Sequence, residues 1–317
     1  MTGYLIRRVL QSLLVLLGVV VVTFLLVHLL PGGPARAALG PKATPQGVAQ
    51  FNLQNGLDHP LIQQFLIYLW HLLQGNLGFS YVQNQSVATL IGQNLPRDVI
   101  LVGLSYVAAL VIAIPLGMFQ GARRNRPADY VLTGLSFVLY SMPSFLLGFL
   151  LIWAFAVNWQ ILPSAAPSGA TVGAILGDPE ALILPVATLA LISIASFSRY
   201  MRSSVIENLS LDYVRTARAK GASERRILYR HILRNALIPI ATLVGLNLPV
   251  LFGGALLTED VFNYPGMGHL FIVAATNQDY PILLGVTALV AFATVIGSLL
   301  ADVLYAVLDP RVRYVSA

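Results

Sequence analysis

The chain has 317 residues, of which 57% are hydrophobic and only 10% are charged, and its formal net charge is +6. Ordinary soluble domains carry about a quarter charged residues, so the composition excludes such a domain and indicates a polytopic membrane protein. The mean hydropathy of +0.76 favours one integral membrane domain. The chain contains no cysteine, which excludes disulfides, iron–sulfur clusters and zinc sites built from thiolates.

Six apolar runs have about the 20 residues that a membrane-spanning helix needs. Because irregular backbone cannot face lipid, we predict that each run is a helix. The first run follows two arginines, as a signal peptide would, but it is too long for one and no small-residue cleavage site follows it, so we expect it to be retained. The prediction is therefore an all-α polytopic membrane protein, a single domain over residues 1–317. Its predicted spans cover residues 9–30, 99–122, 130–157, 181–202, 235–258 and 280–308.

Basic residues are divided unequally between the two sides that six spans define. Of the 19 Lys and Arg residues, all except Arg36, Lys42 and Arg97 fall on one side. Short cytoplasmic loops carry the excess of Lys and Arg, so we expect both termini in the cytoplasm. The region 31–98 is then an external cap, and residues 203–234 form a cytoplasmic loop.

The external cap contains one apolar-periodic piece, Leu61–Leu73, which is too short to span a bilayer and is predicted to be a small helix. Three nearby aromatic residues, Trp70, Phe79 and Tyr81, are candidates for the headgroup level, where such rings are enriched. Simple packing of the rings within the loop explains them equally well.

The cytoplasmic loop leads into the longest polar and basic stretch of the chain, DYVRTARAKGASERRILYRHILRNALIP, which we call the bracket, Asp212–Pro239. Asp212 or Ser210 is predicted to cap a short helix through Lys220, and Gly221 to end it in a left-handed conformation. Ser223 is predicted to cap a second helix, whose arginines follow a spacing of four residues and share one face: Arg226, Arg230 and Arg234. A rigid, doubly capped shape favours docking of a soluble partner; attraction to anionic headgroups and DNA binding are the alternatives.

The sequence carries no nucleotide-binding loop and no motif typical of a hydrolase or a zinc enzyme. The five histidines have no metal-ligand spacing, and His28, near the outer end of the first span, either touches a substrate or is an ordinary interfacial imidazole. Asp302 is the only acid inside a predicted span. It is either functional or paired with Arg199 or Arg202.

Several motifs resemble the B-type membrane subunit of the dipeptide, oligopeptide and nickel permeases of ATP-binding-cassette importers. The resemblance covers essentially the whole chain. The motifs are TFLLVHLLPGGP, GLDHPLIQQFLIYLWHLLQGNLGFSY, YSMPSFLLGFLLIWAF, the bracket, TEDVFNYPGMGHL and LLADVLYAVLDPRVR.

The resemblance implies the type I importer permease fold and a location in the bacterial or archaeal inner membrane. In that family the bracket is the loop that fits a groove on the ATPase, although this chain has Arg-Thr-Ala where the general pattern has Glu-Ala-Ala. The implied ATPase-coupling residues are Tyr213, Arg215, Thr216, Ala217, Lys220 and Gly221.

The same resemblance implies a second homologous permease, two ATP-binding subunits and an extracytoplasmic solute-binding protein as partners. ATP and Mg would be bound by the ATPase subunits, and this chain would be neither catalytic nor a cofactor binder. Peptides are the expected substrate, with nickel, glutathione and oligosaccharides as alternatives. Polar or broken positions in the third and fifth spans are the candidates for lining the pathway: Ser141, Ser144 and Asn247. An ATP-independent channel or secondary carrier is the alternative from another class.

Overall fold

The computed structural model describes residues 2–29, 33–40, 42–167, 169 and 171–308, with the side chains of 2–6, 9 and 302–308 outside this description. The α-helices are α1 Thr2–His28, α2 Gly33–Leu39, α3 Pro45–Gln54, α4 Leu61–Leu73, α5 Val87–Ala122, α6 Pro127–Ser141, α7 Ser144–Leu151, α8 Val172–Leu176, α9 Pro179–Leu209, α10 Asp212–Ala219, α11 Glu224–Arg226, α12 Leu233–Ala236, α13 Ile238–Leu246, α14 Leu248–Gly253, α15 Leu256–Val261, α16 Met267–Thr276 and α17 Tyr280–Leu308. Two π-helical segments, Ile152–Asn158 and Ile227–Ile232, and two short strands, β1 Phe79–Ser80 and β2 Gln85–Ser86, complete the fold.

Within the described residues, five helices are long and apolar enough to cross a membrane, and a sixth span results if the bent pair α6–α7 is counted as one. We call the end of the bundle that carries α10 the inner end, and the end where α1 stops and α17 starts the outer end. Two helices run beyond the predicted runs. Ser86 accepts a hydrogen bond from the Thr89 N–H, so α5 begins there rather than at residue 99, and α9 covers Pro179–Leu209.

The third predicted span is not one helix, so the prediction of a continuous helix over 130–157 is wrong. Helices α6 and α7 meet at an angle of 105°. The break lies at Met142, which has extended backbone angles of −83° and 126° because a residue before proline is excluded from the helical region. After α7 the chain widens into the π-helical segment that ends at Asn158.

The fifth predicted span, 235–258, is also divided. Helices α12, α13 and α14 follow each other with short interruptions at Leu237 and Asn247, each two residues before a proline. The span ends at Gly253, earlier than predicted, because Gly254 has a φ of +73° and separates α14 from α15. Thr258 therefore lies in the following helix.

The pair α5–α9 is the most extensive contact of the bundle. Gly117 and Gly121 of α5 allow the two backbones to approach closely. A Cβ built on Gly117 would lie 2.5 Å from the Met201 Cβ, and one on Gly121 would lie 2.6 Å from a Val205 methyl. Small residues at such a contact let helices pack on van der Waals attraction, which is the main force between helices in lipid.

A buried ion pair adds α6 to this helix pair. The guanidinium of Arg202 on α9 donates to both carboxylate oxygens of Asp129 on α6, at 2.6 and 2.8 Å. Asp129 is almost fully buried. The guanidinium of Arg199 lies over the rings of Phe137 and Tyr140. The side chain of Asp302 lies outside the described residues.

The external region is mostly helical, and α4 has the predicted bounds, Leu61–Leu73. A small antiparallel pair, β1 with β2, departs from an all-α chain. Of the three predicted headgroup aromatics, Trp70 is 61% and Phe79 45% exposed, whereas the Tyr81 ring packs edge-on against Phe51 at 5.1 Å. Ring packing within the loop therefore explains Tyr81.

We expect Gly117→Val to destabilise the protein by about 1–3 kcal/mol, because the added atoms must displace Met201 or separate α5 from α9. Thermal unfolding of the purified protein in detergent measures the effect. Gly103→Val is the matched control, since Gly103 lies on the same helix and a Cβ there meets nothing within 4 Å. Equal unfolding temperatures for the two variants would contradict this account of the α5–α9 contact.

Candidate functional site

The first half of the bracket is a helix closed by a glycine. Helix α10 ends at Ala219, and Gly221 has a φ of +78°, the left-handed conformation that the sequence predicts. The Ala222 N–H donates to the Ala217 carbonyl at 3.1 Å, and the Gly221 N–H donates to the Arg218 carbonyl at 2.9 Å. These two bonds are the Schellman pattern, which satisfies the carbonyls at a helix end.

The predicted cap at the start of α10 is wrong. Leu211 occupies the N-cap position and makes no side-chain capping bond, while Asp212 is the first helical residue. Ser210 instead donates its hydroxyl proton to the Glu207 carbonyl at the end of α9. Asp212 still places negative charge in the first turn, where the helix dipole favours it.

The second half of the bracket begins as predicted and then changes its helical type. The Ser223 hydroxyl accepts from the Arg226 N–H, so Ser223 is the N-cap. Residues Ile227–Ile232 are π-helical, however. Because a π-helix has a different number of residues per turn from an α-helix, the spacing of four residues no longer places the three arginines on one face. The side chains concerned remain exposed: Arg226, Arg230 and Arg234.

One face of α10 is fixed to the bundle. Val214 is fully buried and Ala217 nearly so, in a cluster that includes Met201 and Val205 of α9. Tyr213 donates its hydroxyl proton to the Asn208 side-chain oxygen at 2.7 Å. The helix is therefore held by this apolar cluster, mainly against the π-helical segment Ile227–Ile232, and by a hydrogen bond to α9.

The opposite face of the bracket is open. Arg215, Thr216 and Lys220 are exposed. Arg218 donates to both oxygens of Glu224 at 2.7 and 3.1 Å, which links the two halves across the glycine turn. An adjacent cleft of about 400 Å³ is lined by Ser223, Arg225, Arg226 and Tyr229. The six predicted coupling residues thus divide into two that hold α10 in place, Tyr213 and Ala217, and four that are exposed, namely Arg215, Thr216, Lys220 and the turn glycine Gly221.

The predicted pathway residues lie at the breaks of their helices. Ser141 ends α6, Ser144 begins α7, and Asn247 separates α13 from α14. The Asn247 amide donates to the Leu243 carbonyl at 2.7 Å. The two breaks belong to different parts of the bundle, since α6 and α7 pack mainly on α9, and α13 and α14 mainly on α17.

A buried acidic pair near the outer end escaped the sequence analysis. Asp98 of α5 accepts a hydrogen bond from the Met267 N–H, and Glu259 of α15 accepts from the N–H groups of His269 and Ala255. Both carboxyl groups are fully buried. Burial raises the pKa of Glu259, and its bonds to backbone N–H groups oppose the rise.

Asp98 and Glu259, which belong to other helices, cap the N-terminus of α16. Met267 and His269 belong to the first turn of α16, whose own N-cap, Gly266, has no side chain to accept their N–H groups. A side chain at Gly266 would overlap both carboxyl groups. The glycines of TEDVFNYPGMGHL are the one signal in the sequence for a close approach at this place. The second acid, Asp98, is distant in sequence from that segment, so no local pattern joins the two.

We expect Glu259→Ala to lower the unfolding temperature, because each buried N–H left without an acceptor costs about 1–3 kcal/mol. The neighbouring acid provides the control, since Asp260 is largely exposed and Asp260→Ala leaves those N–H groups bonded. Thermal unfolding in detergent compares the two variants. A similar loss for both would show that Glu259 is not a cap.

The architecture defines a class of protein before any comparison. Apolar helices long enough to cross a bilayer, with a rigid basic bracket at one end, are those of a multi-pass membrane protein. The family model described as "Binding-protein-dependent transport system inner membrane component" matches residues 113–314, and the model of the N-terminal part of the same class matches residues 1–102.

Curated relatives are similar over nearly the whole chain. The oligopeptide transport system permease protein AppB of Bacillus subtilis (strain 168) is 38% identical over 99% of this chain and 100% of its own length. The glutathione transport system permease protein GsiC of Salmonella choleraesuis (strain SC-B67) is 39% identical over 99% and 100%. The probable peptide ABC transporter permease protein y4tP of Sinorhizobium fredii is 38% identical over 98% and 99%. The chain belongs to the binding-protein-dependent transport system inner membrane components and is an ABC importer permease subunit with their all-α membrane fold.

Proposed function

We propose that this permease forms half of a transmembrane pathway for di- and oligopeptides, and that the bracket couples it to ATPase subunits. The observation that carries the proposal is the two-sided construction of α10. One side is buried through Val214 and Ala217 in the inner apolar cluster, mainly against the π-helical segment Ile227–Ile232, and the other presents Arg215, Thr216 and Lys220 to solvent.

The bracket transmits movement because both of its ends continue directly into long helices. Only Ser210 and Leu211 separate α9 from α10. At the other end, the helix that starts at Glu224 continues through the π-helical segment towards Gly253. A partner that displaces α10 therefore displaces the inner ends of two long helices. The partner can favour one arrangement only by binding it more tightly than the other.

The proposed complex contains a second homologous permease, two ATP-binding subunits that hold ATP and Mg, and an extracytoplasmic solute-binding protein. The inner end then faces the cytoplasm, in accord with its excess of arginine. Peptide transport is proposed because relatives named for oligopeptides, peptides and glutathione are similar to this chain over nearly its whole length. Nickel, glutathione and oligosaccharides are the alternatives. Affinity purification from the native membrane, with mass spectrometry of bound proteins and ligands, tests the composition.

Charge reversal at Lys220 separates coupling from folding, because the side chain is exposed and no fold contact is lost. We expect Lys220→Glu to weaken binding of the ATPases about tenfold, the ratio that corresponds to about 1.4 kcal/mol. Uptake by proteoliposomes containing the complete complex should fall, with normal membrane insertion.

The matched control is Arg124→Glu, which makes the same change on an exposed arginine outside the bracket. Full uptake and normal ATPase binding by Lys220→Glu would overturn the coupling proposal. Uptake by the permease alone without ATP would favour a channel or secondary carrier.

Ser141, Ser144 and Asn247 are proposed to line the pathway. They lie at helix breaks, and a helix break inside a bilayer is tolerated only where its free backbone groups face a cavity or other protein. We expect alanine at all three positions to reduce substrate-stimulated ATPase activity and uptake together. Ser203→Ala is the control, since Ser203 is exposed on the unbroken helix α9. Unchanged uptake and stimulation would remove these residues from the pathway.

A further inference from the structure

Helix α4 of the external region carries an apolar stripe that nothing in the described structure covers. Ile62 is 77%, Leu66 58%, Trp70 61% and Leu73 73% exposed. Successive residues of an α-helix are about 100° apart, so these four and Leu69 fall within an arc of about 100°. We call these five residues the α4 stripe.

The rest of α4 divides into two further sectors. Phe65 and Tyr68 pack against the outer hydrophobic cluster of the bundle. Gln64 and His71 line a cavity of about 380 Å³ on the side of the helix away from the stripe. Helix α4 contains no Lys, Arg, Asp or Glu. Its stripe is thus a third face, separate from both the protein core and the cavity.

Two independent contacts fix the height of α4 along the bundle. The Phe24 ring, four residues before the end of α1, contacts the rings of Phe65 and Tyr68 at centroid distances of 5.3 and 5.9 Å. The Tyr68 hydroxyl donates to the carbonyl of Leu284, four residues after the start of α17, at 3.4 Å. Four residues rise about 6 Å along a helix, so both spans place α4 about one turn inside their outer ends.

The exposed surface of α1 continues towards this position. Only 17% of the apolar window of α1 is buried, and its exposed leucines extend to the outer end at Leu25, Leu26 and Leu29. A surface of this kind on a membrane span faces lipid or a partner span. The α4 stripe lies at the level of the outer part of α1, because Phe24 contacts α4 through Phe65 and Tyr68.

We propose that α4 is an interfacial helix that inserts its stripe into the outer headgroup region of the bilayer. Such helices bury their apolar face about 5–10 Å into the boundary between headgroups and acyl chains, which is the depth that the two spans indicate. Trp70 lies on the stripe, as expected for a side chain that prefers the membrane–water interface. The inference rests on the proposed function, in which the outer end of the bundle faces away from the cytoplasm. It adds that lipid holds one side of the external region.

Membrane contact of α4 fixes the orientation of the neighbouring cavity. The residues opposite the stripe, Gln64 and His71, then face away from the lipid towards the external water. His28 extends from the end of α1 into the same cavity, where its ring nitrogens lie 2.7 Å from the Phe24 carbonyl and 3.2 Å from the Gln64 side-chain oxygen. The interfacial helix therefore forms a wall between the bilayer and a water-facing recess.

The absence of cysteine makes a depth measurement direct. A nitroxide spin label is attached to Leu66→Cys in the full-length chain, in vesicles of phosphatidylcholine and phosphatidylglycerol. His71→Cys is the matched control, because His71 is exposed on the same helix and lies about 140° around it from Leu66, on the cavity side. Electron paramagnetic resonance compares collisions of each label with oxygen, which enriches in lipid, and with a water-soluble nickel complex.

We expect the ratio of oxygen to nickel collisions to be several-fold higher at Leu66 than at His71, and Ile62→Cys to behave like Leu66. Equal access of nickel to both sites would place the stripe in water and overturn the proposal. Protection of Leu66 from both reagents would place it against another protein, such as a solute-binding protein, and would also overturn it. The accessibility of the spin label does not depend on ATP hydrolysis. A failure of the interfacial-helix proposal is therefore distinguishable from a failure of the coupling proposal that Lys220→Glu tests.

Discussion

The close contact of α5 with α9 is the interaction on which the rest of the structure depends. Gly117 and Gly121 remove the side chains that would separate the two backbones, and Met201 and Val205 fill the space. Met201 and Val205 belong to the same apolar cluster as Val214 and Ala217 of α10. The bracket is consequently an extension of the core that contains the contact between the two longest described helices.

Local signals in the sequence predicted local structure well. Gly221 has the expected left-handed conformation, Ser223 caps the second helix, and α4 has the bounds that its apolar periodicity indicated. Each of these features is decided by a few neighbouring residues. The error at Asp212 has the same origin, because a carboxylate is favourable both as an N-cap and in the first turn, and the sequence does not distinguish the two positions.

Features that depend on distant residues were not predictable in this way. A proline in an apolar run is compatible with a kink or with the 105° break found at Pro143, and the surrounding helices decide between them. The burial of Asp98 and Glu259 requires α5, α15 and α16 to meet, which no local pattern reveals. The π-helical turn after Arg226 likewise changes the direction of side chains that an α-helical reading places on one face.

Helix α5 is longer than a bilayer is thick. Its 36 residues extend about 54 Å at 1.5 Å each, whereas the hydrocarbon layer measures about 30 Å. Its first turn does not stand above the bundle, however, because a Cβ built on Gly285, in the second turn of α17, would lie 2.6 Å from a Val87 methyl. Asp98 lies 11 residues further along α5, about 16 Å deeper towards the inner end. The carboxyl groups of Asp98 and Glu259 are therefore held within the bundle, where the N–H groups of Met267, His269 and Ala255 replace water as their hydrogen-bond donors.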